Sequence, residues 1–174
     1  AVRAERYWTA VEIGGPASVL TKLLALQRRR GAGIERGETC ERLAELHADD
    51  RSKQLTEEAA QAFLSGGDLA RARGTAERLM VKHPLDVATV SCASAIMLAV
   101  RDFQRAATWL RRALGAWDGA GDRGDGDPIR ADLWRRLGDA ERGRQDEAAA
   151  QIAYRRSVDA APGSIGARAS RRGL

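Results

Sequence analysis

The chain has 174 residues, enough for one domain or one short stack of repeats and too few for two ordinary domains. Aromatics make up 5% and there are four prolines, while Ala, Leu, Arg and Glu dominate, the usage of helices rather than strands. The charge of +5 comes almost wholly from arginine, only Lys22, Lys53 and Lys82 being lysines, and the 24 acidic residues are interspersed with the basic ones, so charge alone does not imply a nucleic-acid partner.

Arg, Ala and Gly together suggest a GC-rich bacterial genome. No run approaches the roughly 20 apolar residues of a membrane helix, and the start lacks a signal peptide's apolar stretch, so the expectation is a cytoplasmic protein without membrane insertion. A chain opening at Ala1 rather than Met fits either removal of the initiator or a piece of a longer protein, and a piece is the expectation.

Taken in chain order, helical spacing and breaker residues predict helices near 17–30, 37–48, 53–65, 69–82, 86–100, 103–117, 129–143 and 147–160, with flanking helices at 2–13 and 164–172. The breakers are Gly14 to Pro16, Gly31 to Gly33, Gly66 with Gly67, Pro84, the stretch 118–128, and Pro162 to Gly166. No segment alternates like a strand. The fold class expected is all-α.

A period runs through these segments. Gly67, Asp68, Leu69 and Ala72 are answered by Arg101, Asp102, Phe103 and Ala106 at an offset of 34, and Asp146, Glu147 and Ala150 answer again after 44. The ten extra residues have a home in the Gly/Asp-rich stretch 118–128, a loop insertion. Upstream, Thr39, Glu41, Arg42, Leu43, His47 and Asp50 echo Thr75, Glu77, Arg78, Leu79, His83 and Asp86 at an offset of 36.

The last repeat carries Trp134, Leu137, Gly138, Ala150, Tyr154 and Pro162 at the spacing W-x2-LG…A-x3-F/Y…P, and in this it resembles the tetratricopeptide repeat (TPR) family. Glu141 stands where the family has an aromatic and Ser157 where it has alanine. The middle repeat matches in Phe103, Ala106, Leu110 and Ala113, and the one before it in Phe63, Leu69, Ala72 and Pro84.

The resemblance implies a right-handed solenoid of antiparallel helix pairs. Its parts would be a flanking helix at 1–16, a repeat domain at 17–162 and a tail or capping helix at 163–174. Within the domain, 17–52 is degenerate and the repeats are 53–86, 87–127 with the insertion, and 129–162. Ala72, Ala106 and Ala150 would let paired helices approach closely.

Chemistry-bearing residues are sparse. Cys40 and Cys92 show neither metal nor disulfide spacing, and both read as reduced, helix-borne cysteines. His47 and His83 fall near helix ends, where they meet terminal carbonyls. Asp118, Asp122, Asp125 and Asp127 fit no calcium-loop spacing. Arg28, Arg29 and Arg30 complement a helix dipole. No nucleophile elbow, phosphate loop or zinc-protease motif is present, so neither enzyme activity nor a cofactor is expected.

In TPR proteins the first helix of each pair lines the concave face. Carried over, this gives Gln54, Glu57, Gln61 and Leu64, then Ala88, Ser91, Ala95 and Leu98, then Arg135, Asp139 and Arg142 as the partner-binding residues, with the two arginines placed to grip a carboxylate. The function implied is an interaction scaffold for a partner protein or peptide. Two alternatives stay open: a regulatory or sensing module of a larger bacterial kinase or transcription regulator, and a basic RNA-binding helical array.

Overall fold

In the computed structural model, residues 16–119 and 127–173 are described. Among them are nine helices and no strand: α1 (Pro16–Arg30), α2 (Gly33–Glu45), α3 (Asp50–Ser65), α4 (Leu69–Lys82), α5 (Val87–Ala99), α6 (Phe103–Gly119), α7 (Pro128–Gly143), α8 (Glu147–Ala160) and α9 (Ile165–Arg171). The expected all-α class is what the structure has. The helix expected at 2–13 and most of the 118–128 insertion lie outside the described residues.

Several boundaries differ from expectation, the start of the helix placed at 53–65 among them, which is Asp50. The helix placed at 37–48 runs from Gly33 to Glu45 because its glycines are contact residues rather than breakers. A Cβ on Gly33 would come 2.6 Å from the Cα of Gly66, and one on Gly37 would come 2.5 Å from the Phe63 ring, so α2 and α3 cross where both glycines are bare. The chain then turns at Leu46, freeing Asp49 to cap α3 by accepting from the Arg51 N–H at 3.1 Å. Likewise the insertion expected from residue 118 starts later, since α6 continues through Asp118 to Gly119, and Asp118 accepts from Arg130 of α7. At the other end Pro128 already belongs to α7, at the helix start where its missing N–H costs nothing, and Asp127 caps the helix.

The sequence period reappears as a backbone period. Gly31, Gly67, Arg101 and Gln145 all have positive φ, at 68°, 81°, 61° and 65°. After each, the next N–H reaches back five residues to a helix carbonyl: Ala32 to Gln27 at 3.4 Å, Asp68 to Phe63 at 2.9 Å, Asp102 to Met97 at 2.8 Å, and Asp146 to Glu141 at 2.9 Å. This is a left-handed C-terminal cap, for which glycine is the low-strain choice and Arg101 and Gln145 are not. Asp68, Asp102 and Asp146 then accept from the N–H three residues on, at 3.0, 3.2 and 3.0 Å, and so start the next helix.

The chain divides into two compact units, residues 1–79 and 80–174, with the boundary inside α4. In the first, Leu20, Leu24, Cys40, Leu43, Ala59 and Phe63 are buried. Ion pairs tie its helices: Arg28 of α1 bonds Glu58 of α3, Arg71 of α4 donates to Glu38 of α2 at 2.8 Å, and Arg78 of α4 bonds Glu41 of α2. The Arg71 guanidinium also lies 4.5 Å from the centre of the Phe63 ring. Burial, and after it the charge of Glu58, pushes the Cys40 thiol up to about 12.

In the second unit α5 packs on α6, α6 on α7, and α7 on α8, while α5 also touches α7 and α9 covers both α7 and α8. Ala106 and Ala150 are fully buried, as is Ala72 in the first unit, so all three alanines sit where helices nest. Ser157 needs no alanine at its site because its hydroxyl donates to the Ala131 carbonyl at 2.6 Å.

Candidate functional site

Helix α5 buries Val90, Ala93, Ile96 and Met97 against its neighbours and leaves the opposite side outward. There Ala88 is exposed, and Ser91, Ala95 and Leu98 are partly exposed, the spacing of one helical stripe. The neighbouring first helix, α7, presents Arg135 and Asp139, both half-buried, and the exposed Arg142. Arg136 of α7 crosses to donate to the Ser91 carbonyl, tying the two helices edge to edge. The structure places the expected α5 and α7 residues on two touching helices of this unit, and the hydrogen bond that joins the helices comes from Arg136, outside the expected set.

The α7 charges are engaged with one another. Arg135 donates to Asp132 at 2.8 Å and to Asp139 at 2.6 Å, and the Tyr154 hydroxyl donates to the other Asp139 oxygen at 2.9 Å. Burial first, then that hydrogen bond, pushes the Tyr154 phenol well above its usual range, so it stays protonated as the donor. Arg142 lies 4.9 Å from the centre of the Tyr154 ring, contacts Glu147 at 3.4 Å and donates to the Gly173 carbonyl. The two arginines expected to grip a carboxylate are thus held by the protein's own groups, and the α7 end is a balanced polar patch rather than an idle positive one. In the first unit, α3 carries Gln54 and Gln61 exposed and Glu57 and Leu64 partly exposed.

A second feature went unread in the sequence. A cavity of about 300 Å³ opens between α6, α7 and α8, with Trp134, Leu137 and Glu141 from α7, Arg111 from α6, and Ile152 and Arg156 from α8 among its lining. Glu141 is 1% exposed, ion-paired to Arg111 at 2.6 Å and to Arg144. The signal was the departure at Glu141: an aromatic there would fill the space that the shorter carboxylate leaves to the cavity. Among the described residues no cluster of three or more His, Cys, Asp or Glu is arranged to hold a metal, and no helix is long and apolar enough to cross a membrane.

No protein-family profile and no curated protein matches the chain. Solved structures do. An ArsTM double mutant of MamA RS-1 superposes with a TM-score of 0.66 at 17% identity, covering 92% of this chain and 91% of that one. MamA 41-end from Desulfovibrio magneticus RS-1 gives 0.66 at 17% identity over 92% of each chain. A MamA of MSR-1 gives 0.61 at 14% identity, covering 90% of this chain and 86% of that one. Identities this low carry the fold. With the recurring caps and the buried alanines, they identify the chain as TPR-like in fold, built of paired α-helices.

Proposed function

We propose that the chain is an interaction scaffold that binds a partner protein or peptide along the outward side of its first helices. Within the second unit this is the α5 and α7 face of Ala88, Ser91, Ala95, Leu98, Arg135, Asp139 and Arg142. In the first unit, Gln54, Glu57, Gln61 and Leu64 of α3 offer a face of the same kind. The domain division stated from sequence, with residues 17–162 as the repeat region, belongs to this reading.

The observation that carries it is the outward stripe of α5. Three side chains no larger than serine and one leucine stand next to a polar patch whose charges are already balanced, which leaves room for a peptide backbone and no surplus charge to be desolvated. The engagement of Arg28, Arg71, Arg78 and Arg135 in ion pairs within the protein supports a protein ligand over RNA, because a guanidinium held this way has less to offer a phosphate.

The test is selection of a random peptide library displayed on phage against the protein. Amide shifts of the isotope-labelled protein are then followed as an enriched peptide is added. Shifts concentrated on Ala88, Ser91, Ala95 and Leu98 support the reading. Enriched peptides whose shifts leave all of α3, α5 and α7 unmoved contradict it.

A further inference from the structure

Helix α9 is held differently from its neighbours. Its seven residues fall below the roughly 12–15 that an isolated helix needs in water, so packing on α7 and α8 must hold it. That packing is thin. Of its described side chains Ser170 alone is buried, while Ile165 is 80% exposed and Arg168, Ala169 and Arg171 are exposed. By contrast α8, packed on the same α7, buries Ala150, Ala153, Tyr154 and Ser157. An element with so little buried apolar surface opens at a lower free energy than the helices it rests on, and the exposed Pro162 and Gly163 before it are the place for the hinge.

The backbone just after α9 lies against the α7 end of the proposed binding face. The Gly173 carbonyl accepts from Arg142, and a Cβ on Gly173 would come 2.9 Å from the Tyr154 ring. Arg142, whose guanidinium also rests over that ring, is the last of the α7 residues on the face. Its ion pair with Glu147, at 3.4 Å between side chains 45% and 58% exposed, holds it weakly. The Gly173 carbonyl therefore occupies a guanidinium donor that a partner's carboxylate would take, and the carboxylate makes the stronger bond of the two.

We propose that α9, with Arg172 and Gly173 after it, is an autoinhibitory strap: it closes the Arg142 end of the α5 and α7 face and lifts when a partner's carboxylate replaces the Gly173 carbonyl. Such a strap has a role only if partners bind this face, as proposed above. Because the competent form is the lifted one, the apparent affinity for a partner is reduced by the fraction of molecules in which the strap is open. The partner segment is acidic, since a neutral one gains nothing on Arg142 that Gly173 does not already give.

The test uses the full chain and a release variant, Ser170→Glu, which puts a charge where α9 is buried. Amide hydrogen exchange in the wild-type protein should be at least about tenfold faster in α9 than in α7 and α8, and in the variant faster still in α9 alone. A phage-displayed peptide library selected on the variant should enrich Asp or Glu. A fluorescein-labelled peptide from that selection should bind the variant at least about tenfold more tightly than the wild type, as when the lifted form is about a tenth of the molecules or less. Changing its acidic residue to the amide, or adding Arg142→Gln, should abolish that preference. If Ser170→Glu loosens α7 or α8, Gly173→Leu, which crowds the Tyr154 ring from outside the helix, decides. Peptides that move the α5 and α7 amides but bind both forms equally, or α9 amides as slow as those of α7, overturn the strap alone. Enriched peptides that leave the α3, α5 and α7 amides unmoved, or no enrichment at all, overturn the strap and the binding role together.

Discussion

Gly138 of α7 lies flat against the Tyr154 ring of α8, so close that any Cβ at Gly138 would overlap the ring carbons. Tyr154 is 2% exposed and its hydroxyl is fixed on Asp139, so the ring has nowhere to retreat. Gly138→Ala should therefore destabilise the protein by about 1–3 kcal/mol, the scale of overpacking in a core. Gly74, in α4, has nothing within 4 Å of a Cβ, and Gly74→Ala should instead stabilise by roughly 0.5–1 kcal/mol through helix propensity. Urea denaturation of the two variants reads both signs.

Glu58 is held below its usual carboxylate range, first by its hydrogen bond from Arg28 and then by that arginine's charge, against an opposing effect of burial. A carboxylate depressed in the folded state stabilises fully above its unfolded value near 4.5, and the contribution disappears as pH falls through the lower folded value. With Arg28 half exposed, the pair is worth at most about 1 kcal/mol. Glu58→Gln should remove that increment at pH 7 and matter progressively less as pH falls below 4.5, as measured by thermal melts across that range.

Cys40 is fully buried and its thiol is pushed up to about 12, so it holds almost no thiolate near neutral pH. A thiol reagent at pH 8 should leave Cys40 unmodified in the native protein and label it in denaturant. Mass spectrometry of the labelled peptides checks this, and rapid native labelling would contradict the packing of α2.

Glu141 is a buried carboxylate at a site where TPR proteins carry an aromatic. Either Glu141→Phe or Glu141→Ala takes the carboxylate from Arg111 and Arg144, whose side chains are 48% and 27% exposed and turn to water instead, but the cavity leaves room for a ring. Glu141→Phe should therefore be less destabilising than Glu141→Ala, which also enlarges the void, by about 1–2 kcal/mol. Chemical denaturation separates the two.

The features legible in the sequence are those set locally. The period was readable in Asp68, Asp102 and Asp146 and the breaks in Gly31 and Gly67, whereas the left-handed caps at Arg101 and Gln145 were not, and the helix-nesting alanines were visible as Ala72, Ala106 and Ala150. Gly33 and Gly37 misled because a glycine that breaks a helix and one that lets two helices touch look alike until Gly66 and Phe63 are in place. The side-chain partners of Arg135 and Arg142 were equally hidden, since Tyr154 and Gly173 reach them only through tertiary packing. At Glu141 the departure from the family pattern was readable, but the cavity it leaves depends on α6 and α8 as well.

Arginines placed on the α5 stripe test the binding claim most directly. Ser91 and Ala95 point outward, so the double variant Ser91→Arg, Ala95→Arg should keep its helical circular dichroism and melting temperature. Its affinity for a peptide selected on the wild-type protein should fall at least about a hundredfold, as expected when bulk and charge fill the centre of a small interface. An unchanged affinity in the folded variant would contradict binding on this face.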